Sequence, residues 1–86
     1  IRMHQEREYP GRVSATTLKN PDFAAYARAF GGHGERVETT AEFGPAFERA
    51  QASGKPAIIH CLLDPEAITP ARSLSTIRAE ALAAKR

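Results

Sequence analysis

Asn20-Pro21-Asp22-Phe23-Ala24-Ala25-Tyr26-Ala27-Arg28-Ala29-Phe30-Gly31-Gly32-His33-Gly34-Glu35-Arg36-Val37 reads as one helix, one turn and the start of one strand. Asn20 can accept hydrogen bonds from the first free amides, Pro21 has no amide to leave unpaired, and Asp22 suits the positive end of a helix. Phe23, Ala27 and Phe30 recur at four and three residues with Tyr26 beside them, so one stripe is apolar and Arg28 points away from it. Gly31, Gly32 and Gly34 end the helix.

Toward the C-terminus, Glu35-Arg36-Val37-Glu38 forms a short strand, and Thr39 with Glu42 three residues on makes a capping box for a second helix. Phe43, Ala46, Phe47 and Ala50 keep helical spacing, while Pro45 blurs the start. Gly54 and Pro56 close that helix. Ala57-Ile58-Ile59-His60-Cys61-Leu62-Leu63 is then a nearly continuous apolar run, as expected for a parallel strand covered on both faces. Strand, helix and strand in that order predict a right-handed parallel βαβ crossover over residues 35–63. Asp64-Pro65 stops the second strand, residues 64–72 form a linker containing Pro70, and Ser73 caps a last helix, within 73–86, whose Leu74, Ile77, Ala81 and Leu82 share a face.

Toward the N-terminus the pattern is weaker. Ile1 to His4 reads as the tail of a strand or the loop leaving it, and Gln5 to Tyr9 as a short helical turn ended by Pro10-Gly11. Arg12 to Lys19 is extended loop. The expected fold is α/β: a partial three-layer parallel sheet with flanking helices, organised as one partial domain with a loop over 1–19 and a core over 20–63. Two or three strands cannot hide both faces of their sheet unaided, and the chain starts on Ile1 rather than Met, so a piece of a longer protein is expected.

The 86 residues amount to one domain at most, and chains of this size bury only roughly 60–65% of the surface they expose unfolded. The single cysteine, Cys61, cannot form an internal disulfide, and no Cys/His spacing suggests zinc. No apolar run approaches ~18 residues and no signal pattern leads the chain, so a cytoplasmic protein without membrane contact is expected. The formal charge of +2 divides as +2 over residues 1–20, −3 over 21–71 and +3 over 72–86. An acidic middle with basic ends argues against a nucleic-acid surface, which needs a basic face with interleaved aromatics.

Ligands of open parallel sheets bind beyond the C-terminal ends of the strands. Gly31-Gly32-His33-Gly34 follows a helix and precedes a strand, so it is a capping turn at the opposite edge and not a phosphate loop. Thr39-Thr40 and Asp64-Pro65-Glu66 lie past strand ends but are explained as a helix cap and a strand stop. His60 and Cys61, adjacent on a strand, point to opposite faces and cannot act as a nucleophile and its base. Ile1 to Tyr9 is denser in chemistry, with Arg2, His4, Gln5 and Glu6 in five residues. If a strand precedes it, this segment sits on the ligand edge; otherwise it is solvated surface.

The order Ile1-Arg2-Met3-His4-Gln5-Glu6, Tyr9-Pro10, Asn20-Pro21-Asp22-Phe23-Ala24, Ala29-Phe30-Gly31, Gly34-Glu35-Arg36-Val37, Phe43, Ala46, Ser53-Gly54-Lys55-Pro56-Ala57-Ile58-Ile59 and Asp64-Pro65-Glu66 resembles the end of thiamine-diphosphate-dependent enzymes. The nearest group is the acetolactate synthase, benzoylformate decarboxylase and pyruvate decarboxylase superfamily, and the resemblance covers about residues 1–78. It implies the C-terminal part of the cofactor-binding domain of an enzyme acting on 2-oxo acids by decarboxylation or carboligation. In that family a Gly-Asp-Gly motif and a later Asn-Asn pair hold the magnesium ion that anchors the diphosphate; neither motif is present here.

By the resemblance, Ile1 matches an aliphatic residue beside the cofactor thiazolium and the substrate. His4 matches a pocket position that is often aromatic, and Arg2 and Gln5 are further pocket candidates. The resemblance places no catalytic residue and no metal ligand in this chain, since the cofactor-activating glutamate belongs to an N-terminal domain. Thiamine diphosphate and Mg2+ are thus expected in a parent that supplies N-terminal and central domains and assembles as a homodimer or homotetramer. The isolated 86 residues are expected to be inactive. A reading of another class is a free-standing interaction module docking through an exposed apolar face.

Overall fold

The computed structural model describes residues 1–85, which gather into two compact units, Lys19–Leu63 and a second made of Ile1–Leu18 with the segment from Asp64 onward. In chain order the elements are helix Arg2–Glu8 (α1), helix Phe23–Ala29 (α2), strand His33–Val37 (β1), helix Thr40–Ala52 (α3), strand Ala57–Cys61 (β2) and helix Leu74–Ala84 (α4).

In the Lys19–Leu63 unit, β1 and β2 pair in parallel with α3 as the crossover, Gly34 lying opposite Ile58, Glu35 opposite Ile59 and Arg36 opposite His60. Strand alternation sends neighbouring residues to opposite faces. Gly34 lies against the backbone of Ala24, and the His60 ring meets the Phe23 ring edge-on at 5.3 Å between centroids, so these positions face α2. Glu35 accepts hydrogen bonds from Arg49 Nη2 at 2.8 Å and Nε at 2.9 Å, so the next position faces α3. The sheet therefore has a helix on each side, which makes the chain an α/β protein with a partial three-layer parallel sheet.

Several boundaries differ from the sequence expectation, each for a local reason. The cap of α2 is Asp22 and not Asn20: Asp22 takes the extended backbone of a cap and its Oδ1 accepts the Ala25 amide at 3.0 Å. Pro21 thus sits outside the helix, and a residue before proline is itself held extended. At the other end, the Gly31 amide donates to Arg28 O at 2.9 Å and the Gly32 amide to Ala27 O at 2.9 Å. Gly31 sits at φ +79°, which completes a Schellman turn that an L side chain would strain.

Gly34 has no such backbone and belongs to β1, which starts at His33 instead of Glu35. Its missing side chain serves packing: a Cβ there would collide with the Ala24 carbonyl. The expected Phe23-Ala27-Phe30 stripe also shifts. Ala24 and Ala27 are the buried residues of α2, whereas Phe30, at the C-cap, is 78% exposed. The buried residues of this unit are thus small, Ala24 and Ala27 on α2, Ala46 and Ala50 on α3 and Val37 at the end of β1, while Phe43 and Phe47 stack on the surface of α3 at 6.0 Å.

α3 begins after Thr39 as expected, yet the capping box is only half made: Thr39 accepts no amide through its side chain, and Glu42 Oε2 accepts the amide of Glu38 at 3.1 Å. Pro45 lies within the helix. β2 stops at Cys61, two residues short of the apolar run, with one further ladder bond from the Leu62 amide to Val37 O at 2.9 Å. Cys61 is free and exposed, and the His60 Nδ1 atom is buried without a hydrogen-bond partner among the described residues.

In the second unit, the helical turn expected over Gln5 to Tyr9 is a longer helix that starts at Arg2, within the stretch read as strand tail or loop, and this α1 packs on α4. α4 forms where expected: Ser73 Oγ accepts the Thr76 amide at 3.1 Å, and Leu74 and Ile77 are buried. The linker is more ordered than its composition suggests. Ala67 and Ser73 form an antiparallel bridge, and the Glu66 carboxylate accepts the amide and hydroxyl of Ser75, each at 2.8 Å. Among the described residues no helix is long and apolar enough to cross a membrane.

Candidate functional site on the first helix

α1 carries Arg2, Met3, His4, Gln5, Glu6, Arg7 and Glu8, with Ile1 at its N-cap. A helix this polar and short has little stability of its own, so its side chains must find partners outside it. Pro10 cannot continue the helix, and Gly11 turns the chain at φ +74°. That turn aims the Gly11 amide at Glu6 Oε2, at 3.1 Å.

Glu6 is the anchor of the arrangement, only 1% exposed. Arg78 Nε donates to its Oε2 at 2.8 Å, and Arg2 Nε lies 3.9 Å from its Oε1. The hydrogen bond from Arg78, followed by that from the Gly11 amide, holds the carboxyl below its ordinary pKa, against the opposing effect of burial. Glu66 is also held low, first by the Ser75 amide and then by its hydroxyl, with Arg78 and Arg2 adding attraction. Two arginines and two carboxylates thus sit together within this unit.

Gln5 is engaged at both ends of its amide: Nε2 donates to Ser14 O at 2.9 Å, and Oε1 accepts from Thr16 Oγ1 at 2.9 Å. Between those two partners Ala15 sits at φ +59°, the one non-glycine residue with left-handed backbone among those described. Such a residue is uncommon and strained. Gln5 therefore closes a bracket around a strained turn.

The four side chains singled out by resemblance share α1 but fan out from it. Ile1, 88% exposed, and Arg2 line a concavity of about 380 Å³ together with Ala15, Thr16 and Leu18. Gln5 borders a different hollow with Tyr9 and Arg12. His4 is exposed and its Nδ1 lies 2.6 Å from Arg7 Nη2. Glu6, Arg78, Gly11 and Thr16 complete the site; the sequence reading counted Glu6 among the chemically dense residues and Gly11 as turn punctuation, and gave Arg78 and Thr16 no role, while the Arg2/Glu6 spacing of four on a helix is the signal that could have found the anchor.

No group of three or more His, Cys, Asp or Glu side chains able to hold a metal ion is gathered among the described residues. The residues present therefore do not fit a metal centre, while Ile1 and Arg2 offer an apolar and a cationic contact to a bound organic molecule.

The profile of the family described as "Thiamine pyrophosphate enzyme, C-terminal TPP binding domain" matches residues 1–61. The acetolactate synthase large subunit IlvG of Mycobacterium tuberculosis is 56% identical over 68 residues, covering 79% of this chain and 12% of its own. A Mycobacterium bovis protein described as a probable acetolactate synthase has the same identity and coverage, 56% over 68 residues. YdaP of Bacillus subtilis, described as thiamine pyrophosphate-containing, is 31% identical over 68 residues, 78% of this chain and 12% of its own. The chain thus spans about an eighth of the length of these relatives, 12% in each case. No solved structure matches at a comparable level of significance. With its profile match reaching from α1 through β2, the chain belongs to the thiamine pyrophosphate enzyme family, as part of the C-terminal cofactor-binding domain.

Proposed function

We propose that this chain is the distal part of a thiamine-diphosphate-dependent enzyme acting on a 2-oxo acid in the manner of an acetolactate synthase, by decarboxylation or carboligation, and that α1 forms one wall of its substrate pocket. The observation that carries this reading is the 56% identity to acetolactate synthase relatives over 68 residues that include most of the chain. When bound, thiamine diphosphate supplies the electron sink that lets a 2-oxo acid lose carbon dioxide.

The chain's own part is to bind and orient. Ile1 supplies apolar surface to cofactor and substrate; Arg2, half-exposed, supplies positive charge for a substrate carboxylate. His4, a pocket position by the family resemblance, offers an exposed ring, and Gln5 shapes the pocket through the Ser14–Thr16 turn. Magnesium and the diphosphate anchor come from the part of the cofactor-binding domain that this chain does not include, and the activating glutamate from the N-terminal domain, in a cytoplasmic parent that has N-terminal and central domains and is a homodimer or homotetramer. Nucleic acid and membrane have no part in this reading. The 86 residues alone neither bind the cofactor nor catalyse.

The test is a purified full-length protein supplied with thiamine diphosphate, Mg2+ and a panel of 2-oxo acids that begins with pyruvate, beside the 86-residue chain in titration calorimetry. Carbon dioxide release or acetolactate formation by the full-length protein is expected, and inertness toward every member of the panel overturns the reading. Micromolar cofactor binding by the 86 residues overturns the claim that they need the rest. Exposed Phe30, Phe43, Phe47 and Leu63 favour, as a second reading, a free-standing interaction module. That reading requires an 86-residue product made as such in cells, which mass spectrometry of the native protein decides.

A further inference from the structure

We infer that α4 is the clamp that sets the direction of α1, and that Arg78 and Lys85 are positioning residues for the pocket side chains on that helix. The inference rests on the reading of α1 as a pocket wall. The family profile ends at residue 61, so α4 lies beyond the segment that carries the family signature.

The argument begins with what α1 lacks. It has seven residues, no apolar stripe, and one buried side chain, the carboxylate of Glu6. Propensity cannot hold such a helix, and burial of apolar surface cannot aim it. Its direction is left to specific contacts: Gln5 and Glu6 tie it to the chain that follows, through Ser14, Thr16 and the Gly11 amide, and two residues of the C-terminal segment hold it from α4. Arg78 Nε donates to Glu6 Oε2 at 2.8 Å; Lys85 Nζ donates to Glu8 O at 2.5 Å and lies 5.3 Å from the centre of the Tyr9 ring.

Position along the helix matters as much as the bonds. Arg78 is in the middle of α4 and Lys85 at its C-cap, seven residues on, which is about 10 Å at the rise of an α-helix. One contact leaves a rod free to pivot; two separated contacts fix its direction. On α1 the matching points are Glu6 and the Glu8–Tyr9 end. A swing of α1 moves Ile1, Arg2, His4 and Gln5 together, so the clamp acts on all four at once.

The test uses the full-length protein with Arg78→Met, Arg78→Lys, Lys85→Met and the double variant E6Q/R78M, and reads hydrogen exchange alongside steady-state kinetics with pyruvate. In Arg78→Met, amides of residues 3–12 are expected to exchange at least about tenfold faster while those of α3 keep their rates, because local opening reports local contacts. KM for pyruvate is expected to rise about tenfold with kcat within about threefold, the pattern of lost ground-state binding. Arg78→Lys is expected to restore most of both, which a purely structural loss elsewhere would not show.

Should Arg78→Met fail to fold, the double variant, which leaves no unpaired buried charge, and Lys85→Met, which alters an exposed residue, carry the same two readouts. Unchanged exchange over residues 3–12 in these variants overturns the clamp. Faster exchange with an unchanged KM establishes the clamp and instead overturns the placing of α1 at the pocket. The two failures are therefore distinguishable.

Discussion

Gly34 lies so close to Ala24 that the carbonyl of one occupies the space where a Cβ of the other would stand. The obstacle is backbone, so neither a rotamer change nor a small side-chain shift relieves it. Gly34→Ala is expected to force α2 off the sheet and to cost about 3 kcal/mol, the upper end for overpacking. Gly44, inside α3 and followed by Pro45, is the contrasting case: beyond its chain neighbours nothing stands where a Cβ would go. The helix-interior gain of alanine over glycine, about 0.5–1 kcal/mol, is offset there by the crowding of a Cβ against the proline ring that follows. The urea unfolding midpoint of Gly44→Ala should therefore stay near that of the parent while that of Gly34→Ala falls.

Ala15 offers a complementary change. Its left-handed backbone, φ +59°, is held by the Gln5 amide through Ser14 and Thr16. Ala15→Gly is expected to relieve strain worth about 1 kcal/mol, and Gln5→Ala to release the turn. Thermal unfolding should show a higher Tm for the first and a lower Tm for the second.

The N-cap of α4 can be tested in isolation. Ser73→Ala removes the acceptor of the Thr76 amide, a bond of 3.1 Å, and is expected to cost about 1 kcal/mol. Ser73→Asp keeps the acceptor and should restore most of the loss in the same denaturation experiment.

His60 is read as structural. Its Nδ1 is buried without a partner among the described residues, and its ring rests against Phe23. His60→Leu removes the unsatisfied atom and is expected to be neutral or to stabilise by about 1 kcal/mol. If the full-length protein acts on a 2-oxo acid as proposed, the variant should keep that activity; a large fall in kcat with unchanged Tm would make His60 part of the chemistry.

Acid should unfold the protein along a defined limb. Glu6, Glu35 and Glu66 are held below their ordinary 4.5 and Asp22 below 3.8, chiefly by the Arg78, Arg49 and Ser75 contacts for the glutamates in turn, and by the Ala25 amide for the aspartate. The unfolded chain therefore takes up protons at a higher pH than the folded one. The stability these groups contribute is present above their ordinary values and is lost as pH falls through the folded ones. Urea titrations at stepped pH should show this decline, with a shallower slope in Glu6→Gln; an unchanged slope would remove Glu6 from the account.

The sheet and its crossover were legible because Ala57 to Cys61 is apolar on both faces and because Ser73, Leu74 and Ile77 mark their helix by cap and period. α1 was legible only as a short helical turn over Gln5 to Tyr9, and the reason is physical: periodicity finds helices by their apolar stripe, and the one buried side chain of α1 is a carboxylate whose partner lies 72 positions away. Gly34 misleads because a glycine that permits close approach looks, in sequence, like one that permits a turn. Of the candidate site, the positions of Ile1, Arg2, His4 and Gln5 came from family resemblance, and their division between two hollows and an exposed face came only from the three-dimensional arrangement.

The pairing of Glu6 with Arg78 also bears on synthesis. The Lys19–Leu63 unit is continuous in sequence, whereas the other is assembled from two separated segments. Chains grow from the N-terminus and units fold as they emerge, so Glu6 is synthesised before the whole βαβ segment that separates it from Arg78. Its counter-ion arrives only afterwards, and α1, translated before the rest of the chain described here, is among the last of its elements to be set in place.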